Sequence, residues 1–125
     1  MTLTEARDLL RSELLATAAA AVPGEEGLVV HDPGPVDPGA LFDGRGPATI
    51  CTITVETGDP ARTDAAESYV EAAAQALRTA GWDVEVPPVE AGHHRAAAHR
   101  EGFDIAVHAF DSDWRLTLTG QTPDL

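Results

Sequence analysis

The chain has 125 residues, 43% of them hydrophobic and only 5% aromatic, and its 21 acidic residues against 8 basic ones give a net charge of −13. That length fits one domain with one core, filled mostly by alanine and small aliphatic side chains, with Trp82, Trp114, Phe103 and Tyr69 as the expected anchors. So negative a field repels phosphate backbones and anionic headgroups, which argues against nucleic acid and membrane surfaces and favours basic proteins or cations, with another protein as the expected partner.

The first helix is signalled by Thr2 with Glu5 three residues on, a capping box, and by Leu3, Ala6, Leu10, Leu14, Ala18 and Ala21 at three-to-four spacing. Glu5, Asp8 and Ser12 lie away from this stripe, and Val22-Pro23-Gly24 ends it. Residues 9 to 22 resemble the apolar part of a signal peptide, but Glu5, Asp8, Arg11 and Glu13 interrupt that pattern. The expectation is therefore a mature, cytoplasmic N-terminus. No stretch is long and apolar enough to span a membrane as a helix.

Leu28-Val29-Val30 reads as a short edge strand, and residues 31–47 follow as a Pro/Gly-rich loop without periodicity. Loops of that length inside a domain tend to carry function or motion. From residue 48 to 56 the pattern alternates, with Cys51, Ile53 and Val55 on one side and Thr52, Thr54 and Glu56 on the other, a half-buried strand. Cys51 is the single cysteine, so no intramolecular disulfide forms and the thiol is expected buried and inert. Asp64 with Glu67 is expected to open a second helix whose face is Ala66, Tyr69, Val70, Ala73, Leu77 and Ala80, closed by Gly81. Trp82, Val84 and Val86 then alternate with Asp83 and Glu85 until Pro87-Pro88.

The C-terminal third reads as a three-strand meander turning at Glu101-Gly102 and near Asp111-Ser112-Asp113. A two-residue turn at Glu101-Gly102 sets Arg100 opposite Phe103, His99 opposite Asp104, Ala97 opposite Ala106 and Arg95 opposite His108. The next turn sets Phe110 opposite Arg115 and His108 opposite Thr117. Both registers gather Ala96, Ala98, Phe103, Ile105, Val107, Trp114, Leu116 and Leu118 on one side. The fold class is then α+β: a two-layer sandwich over residues 1–125, two helices on one face of a mostly antiparallel sheet.

Parity lists the other face: Thr52, Thr54, Glu56, Asp83, Glu85, Arg95, His99, Asp104, His108, Arg115, Thr117 and Thr119. A solvated sheet surface looks like this, and so does a partner-binding one. Four of the five histidines fall in residues 93 to 108. His99 and His108 lie about 13 Å apart along the ladder, too far to share an ion, at about 3.3 Å per residue. His93 approaches His108 diagonally, giving two ligands without a third, so no metal site and no cofactor are expected. His99 beside Asp104 could orient an imidazole for acid–base work, or be a surface ion pair. Walker, dinucleotide-fingerprint, HExxH, CxxC and GxSxG patterns are absent, and no catalytic residue is assigned.

The helix ending Ala80-Gly81-Trp82, followed by a meander ending Gly120-Gln121-Thr122-Pro123, resembles a family of small actinobacterial proteins, many of them lipoproteins. The alanine-rich, lysine-free composition is of the streptomycete type. The likeness covers roughly residues 48 to 123 and implies this α+β fold and no known activity. The lipoproteins carry a lipidated cysteine and often a Cys after Thr-Pro, where this chain has Asp124, so the resemblance implies a cytoplasmic relative. The leading expectation is a non-enzymatic binding module, of the immunity-protein or secretion-chaperone kind, acting through the open sheet face or the 31–47 loop. The alternative is a small-molecule binder or enzyme using the meander histidines. A homodimer through the exposed faces or an edge strand is a third arrangement.

Overall fold

In the computed structural model, which describes residues 1–35 and 49–125, the capping box of the first helix is formed: Thr2 Oγ1 accepts from the Glu5 N–H, and Glu5 Oε1 accepts from the Thr2 N–H. Helix α1 runs Leu3–Ala21 and buries Ala6, Leu10, Leu14, Thr17, Ala18 and Ala21. The extra member, Thr17, satisfies its hydroxyl by donating to the Glu13 carbonyl, 2.8 Å away.

Helix α2 spans Ala66–Thr79 and buries Ala66, Tyr69, Val70, Ala73, Ala74 and Leu77. Its start differs from the sequence expectation. Ala65 is the N-cap and makes no side-chain cap bond. Asp64 therefore lies one residue outside the cap, where its carboxylate cannot reach the first free amides, and it sits 3.7 Å from Arg62 instead. The other end behaves as expected: Gly81 takes φ +92°, the Trp82 N–H donates to the Leu77 carbonyl and the Gly81 N–H to that of Arg78. This Schellman closure needs a left-handed residue, and it drops Trp82 into the core.

Among the described residues six strands form one sheet in the order β1-β2-β6-β5-β4-β3: β1 Leu28–His31, β2 Thr52–Thr57, β3 Asp83–Glu85, β4 His93–Arg100, β5 Phe103–Phe110 and β6 Leu116–Gln121. Every neighbouring pair is antiparallel. Leu28–His31 is an edge strand, as the sequence suggests, and His31 belongs to it rather than to the loop. The opposite edge is shorter than its alternation implies, because Val86 is exposed and Pro87-Pro88 follow. Of the rest of the 31–47 loop, residues 36 to 47 lie outside the described residues.

The meander has the expected register, with Arg100 opposite Phe103, His99 opposite Asp104, Ala97 opposite Ala106, Arg95 opposite His108 and His108 opposite Thr117; the β5–β6 ladder begins at Ala109 opposite Leu116, one step inside the expected Phe110–Arg115 pair. Glu101 at φ +50° and Gly102 at φ +85° make the two-residue turn. A second turn of this kind, at Ala91 and Gly92, starts β4 by pairing Glu90 with His93. Both helices pack on one face, α1 over β2 and β6, α2 over β3, β4 and β5. Between the layers lie Ile53, Val55, Phe103, Ile105, Val107, Leu116 and Leu118, all buried. Trp114 is only half-buried.

Two devices hold the layers together. Gly120 lies beneath Leu10; a Cβ there would stand 2.5 Å from Leu10 Cδ1, so α1 approaches β6 only because this strand position has no side chain. Arg100, whose parity puts it on the helix side, donates to the Ala80 carbonyl at 2.7 Å and pairs with Glu13 at 3.1 Å. Its guanidinium carbon lies 4.5 Å from the Trp82 ring centroid.

Candidate functional site

Because both helices cover one face, alternation leaves the other uncovered, and the ladders arrange it in rows. Arg95, His108, Thr117, Glu56 and Leu28 form one cross-strand row. Glu85, Ala97, Ala106, Thr119, Thr54 and His31 form the next, and Asp83, His99, Asp104, Gln121 and Thr52 the third. The structure thus gathers Thr52, Thr54, Glu56, Arg95, His99, Asp104, His108 and Thr117 on one surface. Arg115 is exposed just before β6, its guanidinium carbon 5.2 Å from the Trp114 ring centroid.

The chemistry of this face is unevenly distributed. The middle row is built of small residues between Glu85 and His31 at its ends, with Thr54 and Thr119 hydroxyls 3.3 Å apart. At one end the acceptor Asp104 engages His99 Nδ1 in an exposed pair. At the other end His93 stands opposite Phe110, which is 50% exposed, and the two rings stack 4.4 Å apart at 11°. On the other side of His93, its Nε2 meets His108 Nδ1 at 2.8 Å, one nitrogen donating and the other accepting. The diagonal approach of the two imidazoles expected from parity is therefore present.

Burial, then the charges that His93 and Arg95 carry nearby, hold the His108 imidazole below its usual value. Arg95 reaches Glu90 only at 3.9 Å, and its Nε is buried without a partner among the described residues. Among the described residues no three His, Cys, Asp or Glu side chains converge as a metal site would need.

His94, which the alternation argument did not use, faces the helix side. It is nearly buried, and its Nε2 lies 2.8 Å from Asp111 Oδ1. The Asp111 N–H in turn donates to the Gly92 carbonyl, so the loop after β5 is tied to the turn that begins β4. The adjacency of His93 and His94 in one strand was the available signal, since neighbours in a strand must take opposite faces.

Cys51 is fully buried, and burial raises its thiol above the usual range. Its N–H donates to Thr122 Oγ1 at 2.9 Å and its carbonyl accepts from the Thr122 N–H at 3.0 Å. In this chain the Gly120-Gln121-Thr122-Pro123 segment thus has a packing role, one residue admitting Leu10 and another latching β6 to the start of β2.

No helix of the described residues is long and apolar enough to cross a membrane. No family model matches the sequence, and no curated protein matches it. Among solved structures the chain is similar to that of the putative lipoprotein LppA from Mycobacterium tuberculosis, with a TM-score of 0.62 over 98% of this chain and 77% of that one. The identity is 16%, so what the two share is the α+β fold, here two helices on an open antiparallel sheet.

Proposed function

We propose that the chain is a non-enzymatic, acidic protein-binding module, of the immunity-protein or secretion-chaperone kind, that engages a basic partner protein through its open sheet face. The observation that carries this reading is the half-exposed Phe110 stacked on His93 beside Arg95 and His108. A rigid aromatic anchor set among polar groups on a flat sheet is the composition that protein interfaces favour. The net charge of −13 would speed capture of a basic partner and make the on-rate fall with salt. The same reading places the protein in the cytoplasm with no nucleic acid, membrane or cofactor as partner.

Photo-crosslinking tests it. A benzophenone amino acid at Phe110 or Thr117, with one at the exposed helix residue Ala20 as control, should capture a discrete partner in the native host from the sheet face alone. Capture only from Ala20, or from neither position, overturns the reading. Recovery of the protein in membrane or extracellular fractions overturns the cytoplasmic assignment, a point sharpened by the lipoprotein name of its structural neighbour.

The second reading, a small-molecule binder or enzyme using the meander histidines, is favoured by the 2.8 Å contact between His93 and His108. Imidazole NMR with Zn²⁺ or Ni²⁺ tests it: both rings should shift together, and unchanged spectra count against it.

A further inference from the structure

The imidazoles of β4 and β5 are partnered in two different ways. His94 lies 2.8 Å from Asp111 and His99 engages Asp104, so each has a carboxylate to accept its N–H and offset a charge. Among the described residues no ion pair joins His93 or His108 to a carboxylate, and the two rings meet each other instead, Nε2 to Nδ1 at 2.8 Å. On β4 their charged neighbour is Arg95, the direct cross-strand partner of His108. Glu90, paired with His93 at the preceding turn, holds its carboxylate 3.9 Å from Arg95. From β6 comes Thr117, opposite His108, with the exposed Arg115 two residues before it, and from β2 comes Glu56, on the far side of Thr117. Both helices lie on the other face. The ring planes of Phe110 and His93 are 11° apart and those of His93 and His108 20° apart, so the three rings make one continuous shelf.

We propose that the His93–His108 contact is a proton-operated switch on the partner-binding face: closed, it holds the shelf on which Phe110 is presented, and with both imidazoles protonated it opens and releases the partner. The proposal rests on the protein-binding reading of this face. A neutral pair is joined by one N–H donating to the other ring's lone pair, and a pair carrying one added proton is joined in the same way. With both rings protonated every ring nitrogen is a donor and none accepts. Two N–H groups and two positive charges then meet where one bond was, with the Arg95 guanidinium alongside, and the rings must part. His93 stands between His108 and Phe110, so its displacement takes the stacking partner from Phe110. The added charges also turn this end of the face against a basic partner. Burial, then His93 and Arg95, hold the His108 imidazole below its usual value, so the closed state is complete at neutral pH and is lost as pH falls through the folded value.

Two measurements on the full chain separate the switch from the binding reading. In the first, NMR follows the isolated protein from about pH 7.5 to about pH 5, the span over which histidines change charge. The Phe110 ring signals should move in step with the His93 and His108 imidazoles, while the Trp82 indole N–H, in the buried core, stays in place. Phe110 signals that stay fixed while both imidazoles become charged overturn the switch and leave the binding reading standing. A Trp82 signal that moves with those of Phe110 marks unfolding and overturns it too. In the second, capture of the partner by the crosslinker at Thr117, which leaves Phe110 intact, should fall at least about threefold over the same span. His108→Asn sets a neutral amide near the Nδ1 position, and His93→Gln sets one near the Nε2 position. Neither pair can become doubly charged, so capture by both variants should stay level. Wild-type capture that does not fall, or variant capture that falls as steeply as the wild type's, overturns the switch alone. No capture from the sheet face at either pH overturns the regulatory role together with the binding reading, even where the Phe110 signals move.

Discussion

Replacing Arg100 by methionine keeps an apolar stem of similar length and removes the guanidinium, a group that touches both helices and the sheet. Three interactions go together: the bond to the carbonyl of Ala80 at the end of α2, the pair with Glu13 of α1, and the contact over Trp82. The side chains of Arg100 and Glu13 are 24% and 22% exposed, so solvent screens the pair only in part. A hydrogen bond from a charged donor contributes about 1.5–3 kcal/mol. The contact over the indole contributes about 0.5–1 kcal/mol. All three share one guanidinium and one desolvation cost, so they do not add, and a net loss of about 2–3 kcal/mol is expected. In a domain of this length that lowers Tm by about 6–12 °C. Urea unfolding followed by tryptophan fluorescence reads the loss without adding salt. A cycle with Glu13→Gln should return a coupling of about 0.5–1.5 kcal/mol. A loss below about 0.7 kcal/mol, with no coupling to Glu13, refutes the view that Arg100 fastens the helices to the sheet.

The His108 imidazole, lowered by burial and then by His93 and Arg95, should titrate by NMR below its usual value of 6.5, and His93→Asn should raise it part of the way, since burial, the larger cause, remains. The folded state binds this proton less readily than the unfolded chain does. The corresponding stability is therefore complete above pH 6.5 and is lost as pH falls from there through the folded value. A Tm that rises on acidification across that window, once His108→Asn is subtracted, contradicts the assignment. For Cys51, iodoacetamide should label the native protein far more slowly than the urea-unfolded chain, since the thiol is both buried and raised above its usual range. Comparable rates would place it at an accessible surface.

What could be read in advance was local. The Thr2–Glu5 capping box, the stripe of α1 and the register of β4, β5 and β6 depend on residues a few positions apart, and the two faces of the meander follow from alternation once one turn is fixed. What could not be read was non-local or set by end effects. Nothing near Thr54 indicates that its neighbour across the ladder is Thr119, 65 residues away, so the insertion of β6 between β2 and β5 had no sequence signal. Asp64 carries the right chemistry for a cap but sits one residue too early, and Val86 has the right parity but precedes two prolines. Trp114 has core parity too, yet it precedes the first residue of β6 and is only half-buried. Of the candidate surface, parity placed the residues on one face. It could not supply the stacking of Phe110 on His93, which depends on rotamers.

The position of β6 also orders events during synthesis. The last of the six strands to leave the ribosome occupies the middle of the sheet, so β1 with β2 and the β3-β4-β5 run emerge as two half-sheets, each with an unpaired long edge. Until residues 116–122 arrive, Leu10 has no glycine to settle on and Cys51 has no threonine to hold. Cooperative closure is deferred until that segment has emerged, and the nascent chain passes through a stage in which the strands flanking the gap offer open edges to any passing strand.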